Sequence, residues 1–105
     1  MTAATPRKQQ LRQWRARGHA LKPVLTVAGN GISDGVLAEL ERALDDHELI
    51  KVRIAVGDRA ARQGLAEGLC AASGATLLQT RGATALLLRR NPKANPRLSN
   101  LLRPR

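Results

Sequence analysis

Few side chains in this sequence are of the types that carry out catalysis or hold metals. The two histidines, His19 and His47, have no carboxylate and nucleophile arranged around them, and no Cys/His cluster has metal-ligand spacing. His47 follows two acids at the predicted end of a helix, where a cationic side chain is favourable in any case. The sequence therefore predicts a protein that is not an enzyme and that uses no metal or cofactor.

A short glycine-containing loop, Ala28-Gly29-Asn30-Gly31, lies between a predicted strand and the start of a predicted helix. Backbone N–H groups and the helix dipole can face an anion at such a place. Glycines are also common at these turns only because they accept a positive φ, and both interpretations stay open. The sequence has neither GxGxxG nor a Walker-type GK[ST], so nothing supports nucleotide binding.

Basic side chains lie on the predicted solvent face of the second strand. Lys51 and Arg53 alternate with apolar residues, which places them about 7 Å apart on one face of the strand. A solvated strand face is the simplest interpretation of two charges. Arg81 at a predicted hairpin and Arg89 at the end of the last strand extend the set, and together they predict a surface that follows phosphates.

The net charge points to a polyanionic partner. The 105 residues include 18 Lys and Arg but only 8 Asp and Glu, a formal charge of +10. Residues 1–23 and 89–105 contain no acid, and the first of these flanks includes Arg12, Arg15 and Lys22. All the acids lie in residues 24–88, so the positive charge is concentrated at the two ends of the sequence.

Length, cysteine content and hydropathy restrict the class of protein. A chain of this length forms one domain. Cys70 is the only cysteine and cannot form an intramolecular disulfide, which favours a reducing cytoplasm. No apolar stretch approaches the roughly 20 residues that span a bilayer, and the N-terminus lacks the apolar core of a signal peptide. We expect a soluble cytoplasmic monomer with no small-molecule substrate.

Aromatic side chains are almost absent, which limits how RNA could be bound. Single-strand readers stack bases on aromatics, at about 1–3 kcal/mol per base. The sequence has no Phe, no Tyr and one Trp, and Trp14 is predicted to anchor the first helix in the core. Shape and phosphate contacts to folded RNA are therefore the predicted mode of binding.

Periodicity predicts three helices and four strands in the order αβαβαββ, an α/β domain with a four-stranded mixed sheet packed with helices. The predicted elements are helix 6–18 after a Thr5 N-cap, strand 24–28, a helix to about residue 46 with Ser33 or Asp34 as its N-cap, strand 49–56, a helix to residue 73 with Asp58 as its N-cap, and strands 76–80 and 84–89. Gly64 and Gly68 in the third helix predict close packing on the sheet. The domain is expected to span residues 1–90, and residues 91–105 to form a basic tail that is disordered when unbound.

Three runs of residues form a distinctive pattern: Leu21-Lys22-Pro23-Val24, Gly31-Ile32-Ser33-Asp34-Gly35-Val36-Leu37 and His47-Glu48-Leu49-Ile50-Lys51-Val52-Arg53-Ile54. They resemble the bacterial YhbY-like proteins, which are stand-alone CRM domains, the chloroplast RNA splicing and ribosome maturation module. The resemblance covers residues 7 to about 90. It implies a fold similar to the C-terminal domain of translation initiation factor three, RNA binding, and association with precursors of the large ribosomal subunit.

The resemblance also implies that the glycine loop acts like the GxxG of KH-type domains and places backbone against phosphate. Gly31 matches the second glycine, Gly29 and Asn30 match the variable positions, and Ala28 replaces the first glycine. Where the family tends to have Leu-Tyr-Arg, this chain has Leu87-Leu88-Arg89. Both departures favour contacts of backbone and guanidinium groups with phosphate.

The leading hypothesis is a protein that binds ribosomal RNA and assists assembly of the large subunit. A DNA-binding architectural protein is an alternative suggested by charge alone, and a protein–protein adaptor using the acidic helix face from Glu39 to Asp46 is another. The predicted RNA-binding residues are Arg12, Arg15, Lys22, Gly29, Asn30, Gly31, Lys51, Arg53, Arg81 and Arg89.

Overall fold

The computed structural model describes residues 7–102, and within them three helices and four strands follow one another in the order αβαβαββ. The elements are α1 (Lys8–Ala20), β1 (Pro23–Val27), α2 (Asp34–His47), β2 (Leu49–Ile54), α3 (Arg59–Ser73), β3 (Thr76–Arg81) and β4 (Thr84–Leu88). The predicted fold class is confirmed. The predicted helix start at Thr5-Pro6 lies outside the described residues.

The four strands form one mixed sheet in the order β1-β2-β4-β3. β1 and β2 are parallel and are joined by the α2 crossover, whereas β4 is antiparallel to both of its neighbours. The β3–β4 hairpin turns at Gly82, whose φ of 57° suits a residue without a side chain. β2 and β4 thus occupy the centre of the sheet.

Helices cover the two faces of the sheet unequally. α2 and α3 pack on one face over a core that includes Leu40, Val52 and Leu87. α1 packs on the other face, where Trp14 contacts a smaller cluster that contains Leu49 and further leucines. Trp14 is buried, so the prediction that it anchors the first helix is confirmed.

The predicted starts of α2 and α3 are confirmed by their capping groups. The Ser33 hydroxyl accepts a hydrogen bond from the Val36 N–H at 3.1 Å, and the Asp58 carboxylate accepts one from the Ala61 N–H at 2.9 Å. α3 ends at Gly74, which has a left-handed φ of 76°. Both crossover helices therefore begin where the sequence indicates, and α3 also ends there, whereas α2 runs to His47 and α1 to Ala20, beyond their predicted ends.

Glycines in the helices differ in what surrounds them. A Cβ built on Gly18 would lie within 3.0 Å of three atoms of the buried Leu86 side chain. There is no room for it, so α1 lies very close to the sheet at this position. A Cβ on Gly68 would lie 3.0 Å from Ile32 Cδ1, so the packing is close here, but against the loop between β1 and α2 and not against the sheet as predicted. Gly64 has open space around it, and the prediction of close packing at that position was wrong.

The segment 91–102, which we call the C-terminal strap, packs on the domain through turns. Ser99 is fully buried, the Asn100 amide donates to the Leu49 carbonyl at 2.6 Å, and Arg17 donates to the carbonyls of Asn100 and Leu101, both at 2.9 Å. The expectation of a disordered tail is therefore wrong for these residues. The lack of apolar periodicity in the sequence was misleading, because the strap is held by polar contacts and not by a periodic apolar stripe. Residues 103–105 lie outside the described part.

The strap is held mainly by Glu48, between α2 and β2. Its carboxylate is 2% exposed and accepts hydrogen bonds from the Ser99 hydroxyl at 2.7 Å and the Asn91 N–H at 2.6 Å. Glu48 also has a φ of 60°, the only positive φ of a non-glycine residue among residues 7–102. Nδ1 of the neighbouring His47 lies 2.8 Å from the Leu98 carbonyl oxygen. Since a carbonyl oxygen can only accept, the His47 ring is the donor. The α2–β2 junction is thus the anchor of the strap.

Replacing Glu48 with Ala is expected to lower the free energy of unfolding by about 2–4 kcal/mol, because the Ser99 hydroxyl and the Asn91 N–H lose a charged acceptor in a buried place. Glutamate and alanine both carry a Cβ, so the backbone strain at the positive φ of position 48 is the same in the wild type and in the variant. Urea denaturation measures the change. Replacement of the exposed Glu39 is the control, and an equal effect of the two substitutions would contradict the role of Glu48.

Gly18→Ala and Gly64→Ala are expected to change stability in opposite directions. The new Cβ at position 18 clashes with Leu86. The free energy of unfolding should therefore fall by about 1–2 kcal/mol, even after the gain in helix propensity is included. The new Cβ at position 64 meets nothing and should stabilise the protein by up to about 1 kcal/mol. Thermal or urea unfolding of both variants checks this, and a stabilised Gly18→Ala variant would show that α1 does not approach the sheet so closely.

Candidate nucleic-acid interface

One half of the α1 face of the sheet is polar and open. Register pairing places four side chains in one row across all four strands, and side chains that pair in register share a face. In strand order the row is Thr26, Arg53, Thr84 and Arg81. The next row contains Lys51, Leu86 and Gln79. The open half-sheet, defined by Thr26, Lys51, Arg53, Gln79, Arg81 and Thr84, contains three bases and no acid.

The other half of the same face is apolar, and α1 covers it. Leu49 pairs with Leu88, and both are buried with Leu78 beneath Trp14. The change from leucine to polar side chains along β2 and β4 therefore marks the limit of the area that α1 covers. Lys51, at this limit, is half-buried and approaches the His19 carbonyl at 3.5 Å, whereas Arg53 and Arg81 are exposed.

Basic side chains on α1 extend the charged surface beyond the sheet. Lys8, Arg12, Arg15 and His19 follow one another at intervals of four, three and four residues, so they lie along one face of the helix. We call this set the α1 stripe. Arg15 donates from Nε to the Leu78 carbonyl at 3.1 Å, and an Arg81 guanidinium nitrogen lies 3.0 Å from His19 Nδ1. The stripe thus runs beside β3 and ends at the open half-sheet.

The glycine loop follows β1, the edge strand opposite β3. β1 ends at Val27, one residue after Thr26, and the Gly31 N–H donates to the Ala28 carbonyl at 2.9 Å to close a turn. Gly31 has a φ of 79°, which confirms the conformational reason for a glycine there. Ala28 has no positive φ, so alanine in place of the first glycine costs no backbone strain. Gly29 and Asn30 are exposed at the tip of the turn.

Arg89 does not belong to this surface. Its guanidinium forms ion pairs with Glu41 and, at 2.9 Å, with Asp45 on α2, and it donates to the Ser73 carbonyl at the end of α3 at 2.8 Å. The structure therefore places Arg89 on the α2/α3 side, where it links the end of β4 to both helices. The sequence-based prediction missed this because the three partners lie 16 to 48 residues away in the chain.

Lys22 is exposed in the short connection between α1 and β1. It precedes Pro23, which pairs with Lys51, whereas the glycine loop follows the other end of β1. The structure thus brings Arg12, Arg15, Lys51, Arg53 and Arg81 onto one surface. Lys22 and the loop lie at its margins.

Sequence reasoning missed several polar members of this surface. Thr26 and Thr84 alternate with apolar residues of β1 and β4, and that alternation could have identified them. His19 carried no such signal, because its partner Arg81 is 62 residues away in the chain.

Chemically reactive groups are sparse in the described residues. Within residues 7–102, no three His, Cys, Asp or Glu side chains lie close enough to hold a metal ion. Burial raises the pKa of the Cys70 thiol, and the charge of Glu67 adds to that effect, so the thiolate is disfavoured. None of the helices in this part of the chain is long and apolar enough to cross a membrane.

Fold and surface together define a small α/β domain with a half-covered sheet face bordered by basic side chains. The model of the CRS1 / YhbY (CRM) domain family matches residues 7–89 of the chain. This chain belongs to the CRS1 / YhbY (CRM) domain family. The resemblance predicted from the sequence is thereby confirmed.

Several bacterial relatives match most of the chain. It is 54% identical to Probable RNA-binding protein PA4753 of Pseudomonas aeruginosa over 96 residues, covering 91% of this chain and 92% of the relative. It is 39% identical to a Haemophilus influenzae protein named RNA-binding protein, covering 92% of this chain and 95% of that one. The solution structure of the hypothetical protein SAV1595 from Staphylococcus aureus superposes with a TM-score of 0.74 at 25% identity, covering 85% and 93% of the two chains.

Arg89→Ala is expected to lower the free energy of unfolding by about 1–2 kcal/mol, because the Ser73 carbonyl and two partly exposed carboxylates lose their partner. Arg53→Ala should change it by less than about 0.5 kcal/mol, since Arg53 is exposed. Urea denaturation of the two variants makes the comparison. If the Arg89 variant were as stable as the wild type, Arg89 would not link β4 to the helices.

Proposed function

We propose that this protein binds RNA through the open half-sheet and the α1 stripe, and that it associates with ribosomal RNA in precursors of the large ribosomal subunit to assist their assembly. The observation that carries the proposal is the continuity of the basic surface. Arg53 and Arg81 flank Thr84 in one row of the sheet, and Arg81 contacts the last residue of the stripe. Family membership and the names of the relatives support RNA as the partner.

Phosphate contacts dominate in the proposed mode of binding. The open half-sheet offers guanidinium, ammonium, hydroxyl and amide groups, all of which can donate to phosphate oxygens. It offers no aromatic ring, and Trp14 is buried under α1 with the Arg90 guanidinium 5.8 Å from its ring centroid. Base stacking is therefore a minor contribution, and the shape of folded RNA decides where the protein binds.

The glycine loop supplies backbone contacts at the edge of the same surface. Gly29 and Asn30 are exposed, and a Cβ at Gly29 or Gly31 would meet no atom within 4 Å. A phosphate can approach the backbone closely at such a turn. We include Gly29, Asn30, Gly31 and Lys22 in the proposed interface and leave Arg89 out of it.

The remaining features of the proposal concern the protein as a whole. It acts as a cytoplasmic monomer, without catalysis and without a small-molecule substrate. The acidic side of α2 does not serve as the main contact surface, because two of its carboxylates are engaged by Arg89.

Two measurements test the proposal. Cell extract is separated by sedimentation, and the affinity of the purified protein for ribosomal RNA fragments is measured in parallel. The protein should co-sediment with large-subunit precursors, and RNase should abolish the association, which a protein-only contact would survive. Affinity for ribosomal RNA fragments should fall about 100-fold between about 50 and 200 mM salt, as about four neutralised phosphates require. Sedimentation only as free protein at low salt, or a preference for duplex DNA in competition, would overturn the proposal.

A matched pair of variants locates the surface in the same experiment. Arg53→Glu reverses a charge on the open half-sheet, and Arg42→Glu reverses an exposed charge on α2. The first should weaken RNA binding at least tenfold, and the second should leave it within about twofold. Equal effects would show that net charge alone drives binding.

A further inference from the structure

Four nitrogen-bearing side chains converge on a small cavity where α1 ends over the sheet. The cavity has a volume of about 130 Å³ and is lined by His19, Lys51, Arg81, Gln79 and Thr84, with apolar contacts from Leu86 below. None of these side chains is acidic. Polar groups from α1 and from β2, β3 and β4 therefore face one half-open cavity.

Two cationic groups contact the same residue and line the same cavity here, although they belong to strands that are not neighbours. Lys51 is on β2 and Arg81 is on β3, with β4 between them. The Lys51 Nζ atom is 3.5 Å from the His19 carbonyl oxygen, and an Arg81 guanidinium nitrogen is 3.0 Å from His19 Nδ1 and 3.2 Å from Nε2. Both charges thus contact one residue, which holds them at the rim of one cavity.

The close approach of α1 to the sheet creates this arrangement. Gly18 is buried and leaves no room for a Cβ above Leu86, so the following residue, His19, is brought directly over the strands. A guanidinium can only donate, so the His19 nitrogen that Arg81 contacts acts as an acceptor and holds Arg81 in place. No acid is positioned in this cavity to neutralise Lys51 and Arg81, although other arginines of the described chain, such as Arg89, have carboxylate partners.

We infer that this cavity is a dedicated site for one phosphate group of the bound RNA, held jointly by Lys51 and Arg81, with His19 as the residue that positions both. This inference rests on the proposed function and adds that the two bases share a phosphate instead of following two successive ones. A phosphate has enough acceptor oxygens to receive both cations. Gln79 lines the same cavity as a further donor, whereas the Thr84 hydroxyl already donates to the Arg81 carbonyl at 2.9 Å.

The location of the cavity identifies the phosphate as an internal phosphodiester. The α1 stripe leads to it from one side through Arg15 and Arg12, and Arg53 continues the surface beyond Thr84 on the other. A strand held by both would pass through the cavity and would not end there. A terminal phosphomonoester has the same chemistry at its oxygens, so the experiment must distinguish the two sources.

The test is the salt dependence of RNA affinity for single and double variants. Lys51→Ala and Arg81→Ala should each weaken binding about tenfold but leave the log–log slope nearly unchanged, because the remaining cation still holds the phosphate. The double variant should lose one contact, a change of about 0.7–0.9 in the slope. A loss of about 1.4–1.8 would mean two separate phosphates and would overturn the inference.

Control variants of the protein and two forms of one RNA complete the experiment. Arg53→Ala by itself should lose one contact, because Arg53 does not line the cavity, and adding Arg81→Ala to it should leave the slope nearly unchanged, because Lys51 still holds the cavity phosphate. His19→Ala should weaken binding with little change in slope, and His19→Gln, whose amide oxygen can accept from Arg81, should restore part of the affinity. Failure of the glutamine variant to do better than alanine would remove the positioning role of the ring.

RNA of one sequence with a 5′-hydroxyl or a 5′-phosphate identifies the source of the phosphate. Equal affinities assign the cavity to an internal phosphodiester. Tighter binding of the 5′-phosphate form that disappears in the Lys51/Arg81 double variant would overturn that assignment in favour of the RNA end. Wild-type protein that binds no RNA would contradict the proposed function itself, whereas additive slopes with intact RNA binding contradict only the shared site.

Discussion

The central strands β2 and β4 carry apolar side chains on both faces, and the rest of the structure follows from the need to cover them. Ile50, Val52 and Leu87 point to the face that α2 and α3 cover, while Leu49 and Leu88 point to the opposite face. Burial contributes roughly 1.5–3 kcal/mol for each such side chain, so both faces need a helix. α1 has a narrow apolar stripe and covers only the leucine half of its face. The polar half stays open, and this is where we place the RNA.

Arginines in this protein serve two purposes that the charge count does not separate. Arg89 and Arg17 hold the fold together, the first through α2 and α3 and the second through the C-terminal strap. Arg53, Arg81 and Arg12 are exposed on the α1 side of the sheet. Arg89 and Arg17 are taken up by carboxylates and strap carbonyls, whereas the exposed guanidinium groups on the α1 side remain accessible to a polyanion even where, as in Arg15 and Arg81, they also have one internal acceptor. The positive surface on the α1 side is therefore smaller than the net charge implies.

The strap links this surface to the α2–β2 junction. Glu48 binds Ser99 and Asn91, and the strap backbone in turn accepts hydrogen bonds from Arg17 on α1. The position of α1 decides how closely His19 approaches Arg81, so the geometry of the proposed phosphate site depends on a buried carboxylate on another element. A buried, fully hydrogen-bonded network of this kind rigidifies what it connects.

The sequence by itself determined the element order, the caps and the mixed sheet, because these depend on local signals. Alternation located β2, Ser33 and Asp58 marked helix starts, and Gly74 and Gly82 marked places that need a positive φ. It also determined the family, since the matching residues are contiguous runs.

Only the tertiary structure decided which bases share a surface. Arg89 contacts α2 and α3, the strap packs on Glu48, and His19 contacts Arg81. The residues joined by these contacts lie 16 to 62 positions apart in the chain. Such contacts leave no periodic trace in the sequence. They arise when packing brings distant polar groups together and each buried donor or acceptor must find a partner.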